Sequence, residues 1–161
     1  MRGIVVLLTS LIFSACQSTD MKQEIISTHA FRLKPGEDLK EGIERIVKED
    51  SIVAGWIASS VGSLTDYAIR FANQPEASTG SGHFEIVSLS GTVSVNGSHL
   101  HISISDSTGK AIGGHLMPGC KVYTTAEIVL QSTGKYFFTR EKDGTTPWEE
   151  LQIEQKTKNN K

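Results

Sequence analysis

The stretch Val93-Ser94-Val95-Asn96-Gly97-Ser98-His99-Leu100-His101-Ile102-Ser103-Ile104-Ser105-Asp106 holds two strands and the turn that joins them. Asn96-Gly97 is the strongest hairpin signal in the chain, because both central residues of a type I′ turn need positive φ and these two types tolerate it best. Beyond the turn the alternation is clean: Leu100, Ile102 and Ile104 share one face, while His99, His101, Ser103 and Ser105 share the other. The apolar set takes the core. Both imidazoles then project from the polar face, with their Cα atoms roughly 7 Å apart at ~3.4 Å of rise per residue.

Outward from this hairpin, turn signals at residues 62–63, 73–75, 78–82, 107–109 and 132–134 bound a series of β-branched runs. They predict strands near 53–60, 66–72, 84–95, 99–106, 111–116, 121–130 and 135–140, after a first strand over 24–33 that ends at Pro35-Gly36. Leu39, Ile43, Ile46 and Val47 recur at helical spacing against Glu37, Lys40, Glu41, Glu44, Lys48 and Glu49, which predicts one main amphipathic helix. The expected class is α+β: a mostly antiparallel β-sheet of seven to eight strands with that single helix. At 161 residues, one domain accommodates the whole chain. Balanced charge, 16 Lys+Arg against 18 Asp+Glu, argues against a protein built to grip phosphate backbones, so a nucleic-acid partner is not expected.

A third histidine, His115, stands in Gly113-Gly114-His115-Leu116 on the strand expected next to His99 and His101. Three neutral imidazoles make an open site suited to zinc or another divalent metal, with a position left for water or a small ligand. The bland alternative is a solvated polar sheet face. Gly113 and Gly114 are expected to leave room beside His115, and Glu85 to support an imidazole N–H from a neighbouring strand, its own alternative being an ordinary strand-edge carboxylate. His29 and His83 are assigned to the surface or the core edge. Arg70 and Arg140 could bind an anion, although paired or solvated arginines are commoner. No P-loop, dinucleotide fingerprint, serine elbow or CxxC pair occurs.

The N-terminus has its own logic. Met1-Arg2-Gly3 carries a positive charge ahead of an apolar run over 4–13, too short to span a bilayer, and Ser14-Ala15-Cys16 follows. This resembles the signal peptide and lipobox of bacterial lipoproteins, with ordinary secretion as the alternative. The resemblance implies cleavage before Cys16, lipidation of Cys16, and an exported protein anchored in the cell envelope facing the periplasm. The expected organisation is a signal peptide over 1–15, a tether over 16–23, a folded domain over 24–154 and a disordered tail over 155–161. Cys120 is then left as a single buried thiol.

Gly82-His83-Phe84-Glu85-Ile86-Val87-Ser88-Leu89-Ser90-Gly91-Thr92, then His99-Leu100-His101, then Gly113-Gly114-His115-Leu116-Met117-Pro118-Gly119-Cys120 resemble, in order and spacing, the PPC domain of plants and prokaryotes. The resemblance implies a PPC-like α+β fold, assembly as a homotrimer, and histidines and glycines at a shared cleft. It also brings a DNA-binding label from plant members, although no AT-hook is present here. The leading reading is an exported trimeric module that holds a divalent metal or small ligand at His99, His101 and His115. The alternatives are a DNA-binding protein and a metal-dependent hydrolytic enzyme.

Overall fold

The computed structural model of the protein describes residues 25–156. The expected signal peptide, Cys16 and the tether lie outside the described residues, as do residues 157–161. The element order is β1 (Ile26–Leu33), α1 (Leu39–Glu49), β2 (Ala54–Arg70), β3 (Ser78–Ser94), β4 (Gly97–Ser105), β5 (Ala111–Leu116), β6 (Lys121–Thr133), β7 (Tyr136–Glu141) and β8 (Glu150–Gln155). Six strands form one antiparallel sheet in the order β1-β6-β2-β3-β4-β5, and β7 and β8 pair as a separate hairpin. The end of β2 also pairs with β5, through Ile69↔Leu116 and Arg70↔His115, so the sheet curls until its last strand meets its middle one. This is the α+β, largely antiparallel fold that the alternation predicts.

The interior of that curl is lined by the apolar side of each strand. Leu64, Ile69, Val93, Leu100, Ile104, Leu116, Val122, Ile128 and Leu130 are all essentially inaccessible to solvent. Helix α1 lays Leu39, Gly42, Ile43 and Val47 against them. Its N-cap is Asp38, whose carboxylate accepts the backbone N–H groups of Lys40 and Glu41. The same carboxylate accepts Gly119 N–H at 2.7 Å and pairs with Lys121 Nζ at 3.4 Å. One buried acid thus satisfies the helix start and the turn between β5 and β6 together.

Four local expectations need correction. Residues 53–60 and 66–72 are one strand of 17 residues, not two strands about a turn at Gly62-Ser63. Against β6 its register slips near Ser59, Leu64 and Asp66, so bulges bend a continuous strand where a reversal is expected. Residues 78–82, expected as a turn, are likewise the start of β3 and pair with the second half of β2. In the β3–β4 hairpin, Ser94 pairs with Gly97, which makes Val95 and Asn96 the central residues. Asn96 is not at positive φ, so the turn is not type I′. Gln155 and Lys156, expected in a frayed tail, are ordered: Gln155 pairs with Tyr136 in β8, and Lys156 N–H bonds the Lys135 carbonyl at 2.8 Å.

Candidate metal centre

The β4 ladder assembles the centre. His101 pairs directly with His115 on β5, and His99 lies two residues from His101 on the same side of β4. Leu100 and Ile102, between and beside them, are buried in the core. Cross-strand partners share a face, so all three imidazoles stand together on the side away from the core. Their ring centroids are 5.0, 4.9 and 5.8 Å apart. His99 Nε2 and His101 Nε2 approach to 3.1 Å. One ligating nitrogen can be taken from each residue so that all lie within 4.8 Å of one another. Two nitrogens bound tetrahedrally at ~2.0–2.1 Å from zinc stand about 3.4 Å apart, so small ring rotations suffice to close the set.

The electrostatics favour neutral donors. Burial, then the charges of His99, Arg70, His101 and Lys40, push the His115 pKa down to about 4. His99 is lowered too, by burial first and then by Arg140 and His101. The Nδ1 atom of His115 is buried and has no hydrogen-bond partner among the described residues. Uncharged imidazoles with an unspent buried nitrogen are what a borderline divalent cation requires.

The other sequence-predicted site residues do not join them. Glu85 pairs with Ser105, which is on the histidine face but four residues along β4 from His101, a separation of about 14 Å. It is exposed and cannot support an imidazole. Gly113 and Gly114 do not open space beside His115 either. A Cβ on Gly113 would stand 2.8 Å from the Ile102 carbonyl oxygen, and one on Gly114 would stand 2.6 Å from that of Arg70. These glycines let β5 fit tightly between β4 and β2. Cys120 is fully buried, and burial raises its thiol pKa to about 11, which makes it inert.

His29 has a definite structural task. Its Nδ1 meets Asp50 Oδ2 at 2.7 Å and its Nε2 meets Ser132 Oγ at 2.9 Å, linking the end of α1 to β1 and β6. The order of groups is that of a serine hydrolase relay. Ser132, however, sits on a strand paired along both edges, to Ser27 and Gly55, so the ladder uses the local N–H groups that an oxyanion would need.

The sequence offers Arg140 as a candidate anion ligand but does not place the β7–β8 hairpin beside the histidines. Asn96 Oδ1 accepts Arg140 N–H at 2.9 Å, and Asn96 Nδ2 donates to the Arg140 carbonyl at 2.8 Å. The turn residue thereby imitates a strand partner and docks β7 beside the histidines. A cleft of about 490 Å³ results, lined by His99, His115, Arg70, Arg140, Trp148 and Glu150 among others. A roomier cleft of about 610 Å³ between α1 and the β3–β4 hairpin contains no imidazole.

A family model described as the Plants and Prokaryotes Conserved (PCC) domain matches residues 21–134. The chain is similar to the bifunctional protein GlmU of Synechococcus sp. strain JA-3-3Ab, at 43% identity over 129 residues, 80% of this chain and 21% of that protein. It therefore spans about a fifth of the length of the curated relatives it matches. Among solved structures, a hypothetical protein from Salmonella enterica shares 37% identity with a TM-score of 0.80, over 84% of this chain and 98% of that one. A protein from Archaeoglobus fulgidus described as metal-containing shares 26% identity with a TM-score of 0.69, over 81% of this chain and 96% of that one.

Proposed function

The chain belongs to the Plants and Prokaryotes Conserved domain family, and from that premise we propose that it is an exported, trimeric module holding one divalent metal at His99, His101 and His115. The observation that carries the reading is the convergence of three imidazole nitrogens within 4.8 Å on one sheet face. The metal-containing description of the Archaeoglobus fulgidus relative supports it. An ion held by three neutral imidazoles keeps a position for a further ligand and polarises what binds there. Zinc is the ion whose preferences match this donor set most directly. Export and a lipid anchor at Cys16 rest on the order of charge, apolar run and Ser14-Ala15-Cys16. Trimer assembly is supported by exposed Val61, Val87 and Tyr123 on β2, β3 and β6, three adjacent strands that offer apolar surface to a second copy.

Binding to duplex DNA draws no support from a chain with a net charge of −2. Glu85, about 14 Å along the ladder from His101, cannot be the proton shuttle of a hydrolytic reaction at the histidines.

The test is metal analysis and zinc titration of the full chain purified without chelator. One ion per chain is expected, lost for the most part in His101→Ala and kept in His83→Ala, whose histidine is exposed elsewhere on β3. Wild-type stoichiometry and affinity in His101→Ala at neutral pH would refute the triad. Light scattering that gives a monomer at micromolar concentration would remove the trimer.

A further inference from the structure

The β7–β8 hairpin sets an unusual arginine against the histidine face. Arg140 is only 7% exposed. Its Nη2 donates to Thr92 Oγ1 at 2.7 Å, and Thr92 is the ladder partner of His99. Its Nε is buried and has no partner, and no described carboxylate lies within ion-pair distance of it. A guanidinium cannot escape this by losing its proton, so a buried charge remains, offset only at a distance by Glu150 and Glu149. Arg70 lines the same cleft. It is the ladder partner of His115, its guanidinium carbon lies 4.9 Å over the Trp148 ring, and among the described residues its side chain's only hydrogen bond is a long one of 3.5 Å to the Gln74 carbonyl.

The acids nearby do not complete the pairing. Glu150 accepts from Thr146 Oγ1 at 2.6 Å, and Glu149 is exposed. Arg70, Arg140 and Lys142 outnumber Glu149 and Glu150 by one in the lining of the cleft, before any cation is added at the histidines. Arg140 and Trp148 come from the C-terminal hairpin, beyond residues 21–134, whereas Arg70, His99 and His115 lie within them.

We propose that this cleft is a subsite for the oxyanion group of a small molecule, a carboxylate or a phosphate, held by Arg140 and Arg70 next to the histidine centre. The fork of a guanidinium suits either group, and the Trp148 ring supplies a planar wall for the rest of the ligand. The inference deepens the metal-binding reading and rests on it for the ligand's second contact. The arginine contacts alone predict weaker binding of the same anions to metal-free protein.

The experiment is calorimetric titration of inorganic phosphate and, separately, acetate into the full chain, with one equivalent of zinc and again after chelation. One anion per chain is expected for at least one of the two, tighter with zinc. Arg140→Gln should weaken it roughly 10- to 100-fold, as loss of a charge-assisted contact does, while one zinc per chain is still bound. Because Arg140 is buried, Arg70→Gln, at the rim, provides a second variant with the same expectation. If neither anion binds the wild type, or if both variants titrate like it, the subsite is refuted. If zinc fails to bind but phosphate or acetate binds with an arginine dependence, the metal reading falls and the anion subsite stands.

Discussion

Gly91→Ala tests whether the strand ladder places the histidines. Gly91 lies on β3 between Ser90 and Thr92, which pair with His101 and His99, and it faces Leu100 across the ladder. Its φ is 134°, and a Cβ there would stand 2.0 Å from the His99 carbonyl oxygen and 2.9 Å from Leu100 Cα. Ordinary contact begins at 3.4 Å, so β4 would have to retreat by about 1.4 Å at the residue that carries the first imidazole. Backbone strain at such a φ costs about 1–3 kcal/mol, and forcing a packed backbone apart costs a similar amount. The combined loss, about 2–6 kcal/mol, is a large share of the ~5–15 kcal/mol that a domain has in total. At about 2–4 °C per kcal/mol for a chain of this length, the melting temperature should fall by roughly 10 °C.

Zinc should bind more weakly in the same variant, because His99 moves relative to His101 and His115. Gly109→Ala is the control. Its φ is 80° and nothing lies within 4 Å of the added atom, so only backbone strain, about 1 kcal/mol, is expected and zinc affinity should be unchanged. Thermal melts and competitive zinc titrations of the three proteins read both effects. A Gly91→Ala protein that melts within about 2 °C of wild type and binds zinc equally well would show that close approach of β3 to β4 does not position the centre.

His29→Ala should cost about 1–3 kcal/mol by removing both links between α1 and the sheet, measured by urea unfolding, with zinc affinity unaffected. An active-site serine probe should leave Ser132 unlabelled in the wild type. Metal-free protein should lose stability as pH falls from about 6.5 towards 4: unfolded histidines titrate near 6.5, whereas His99 is lowered and His115 is held at about 4 in the fold. The unfolded chain therefore takes up protons first, stability is fully present above that window, and unfolding midpoints that do not change between pH 7 and 5 would contradict the shift. Cys16→Ser should abolish lipid labelling and release the protein from the membrane fraction, whereas a soluble, unlabelled wild-type product would leave only ordinary export.

Alternation and register differ in how far they can be seen in a sequence. Alternation has a period of two and is local, so Leu100, Ile102 and Ile104 fix the face of His99 and His101 without reference to any other strand. The face of His115 follows in the same way from buried Leu116. Glu85 shows the limit. It does share the histidine face, since its partner Ser105 does, but the ladder places it four residues away. A slip at the bulge between Ile86 and Ser88 changes the offset along β3, and nothing in the composition of that run announces it.

The same limit explains the bent β2 and the missed role of β7–β8. A turn residue such as Gly62 bends a strand or reverses it depending on which neighbours accept its hydrogen bonds, and those neighbours are distant in sequence. Asn96 was legible as a turn residue, but its amide is spent on the backbone of Arg140, 44 positions later. That contact brings a buried, incompletely paired guanidinium to the histidine face, and with it the positive charge on which the proposed anion subsite depends. Asn96→Ala should therefore weaken phosphate or acetate binding while leaving His99, His101 and His115 able to hold zinc, because it loosens β7 around Arg140, leaving the backbone links of Phe138 and the β4–β5 ladder in place. Equal loss of zinc and anion binding in that variant would mean that the hairpin supports the histidines as well, and that the two sites are not built by separable parts of the chain.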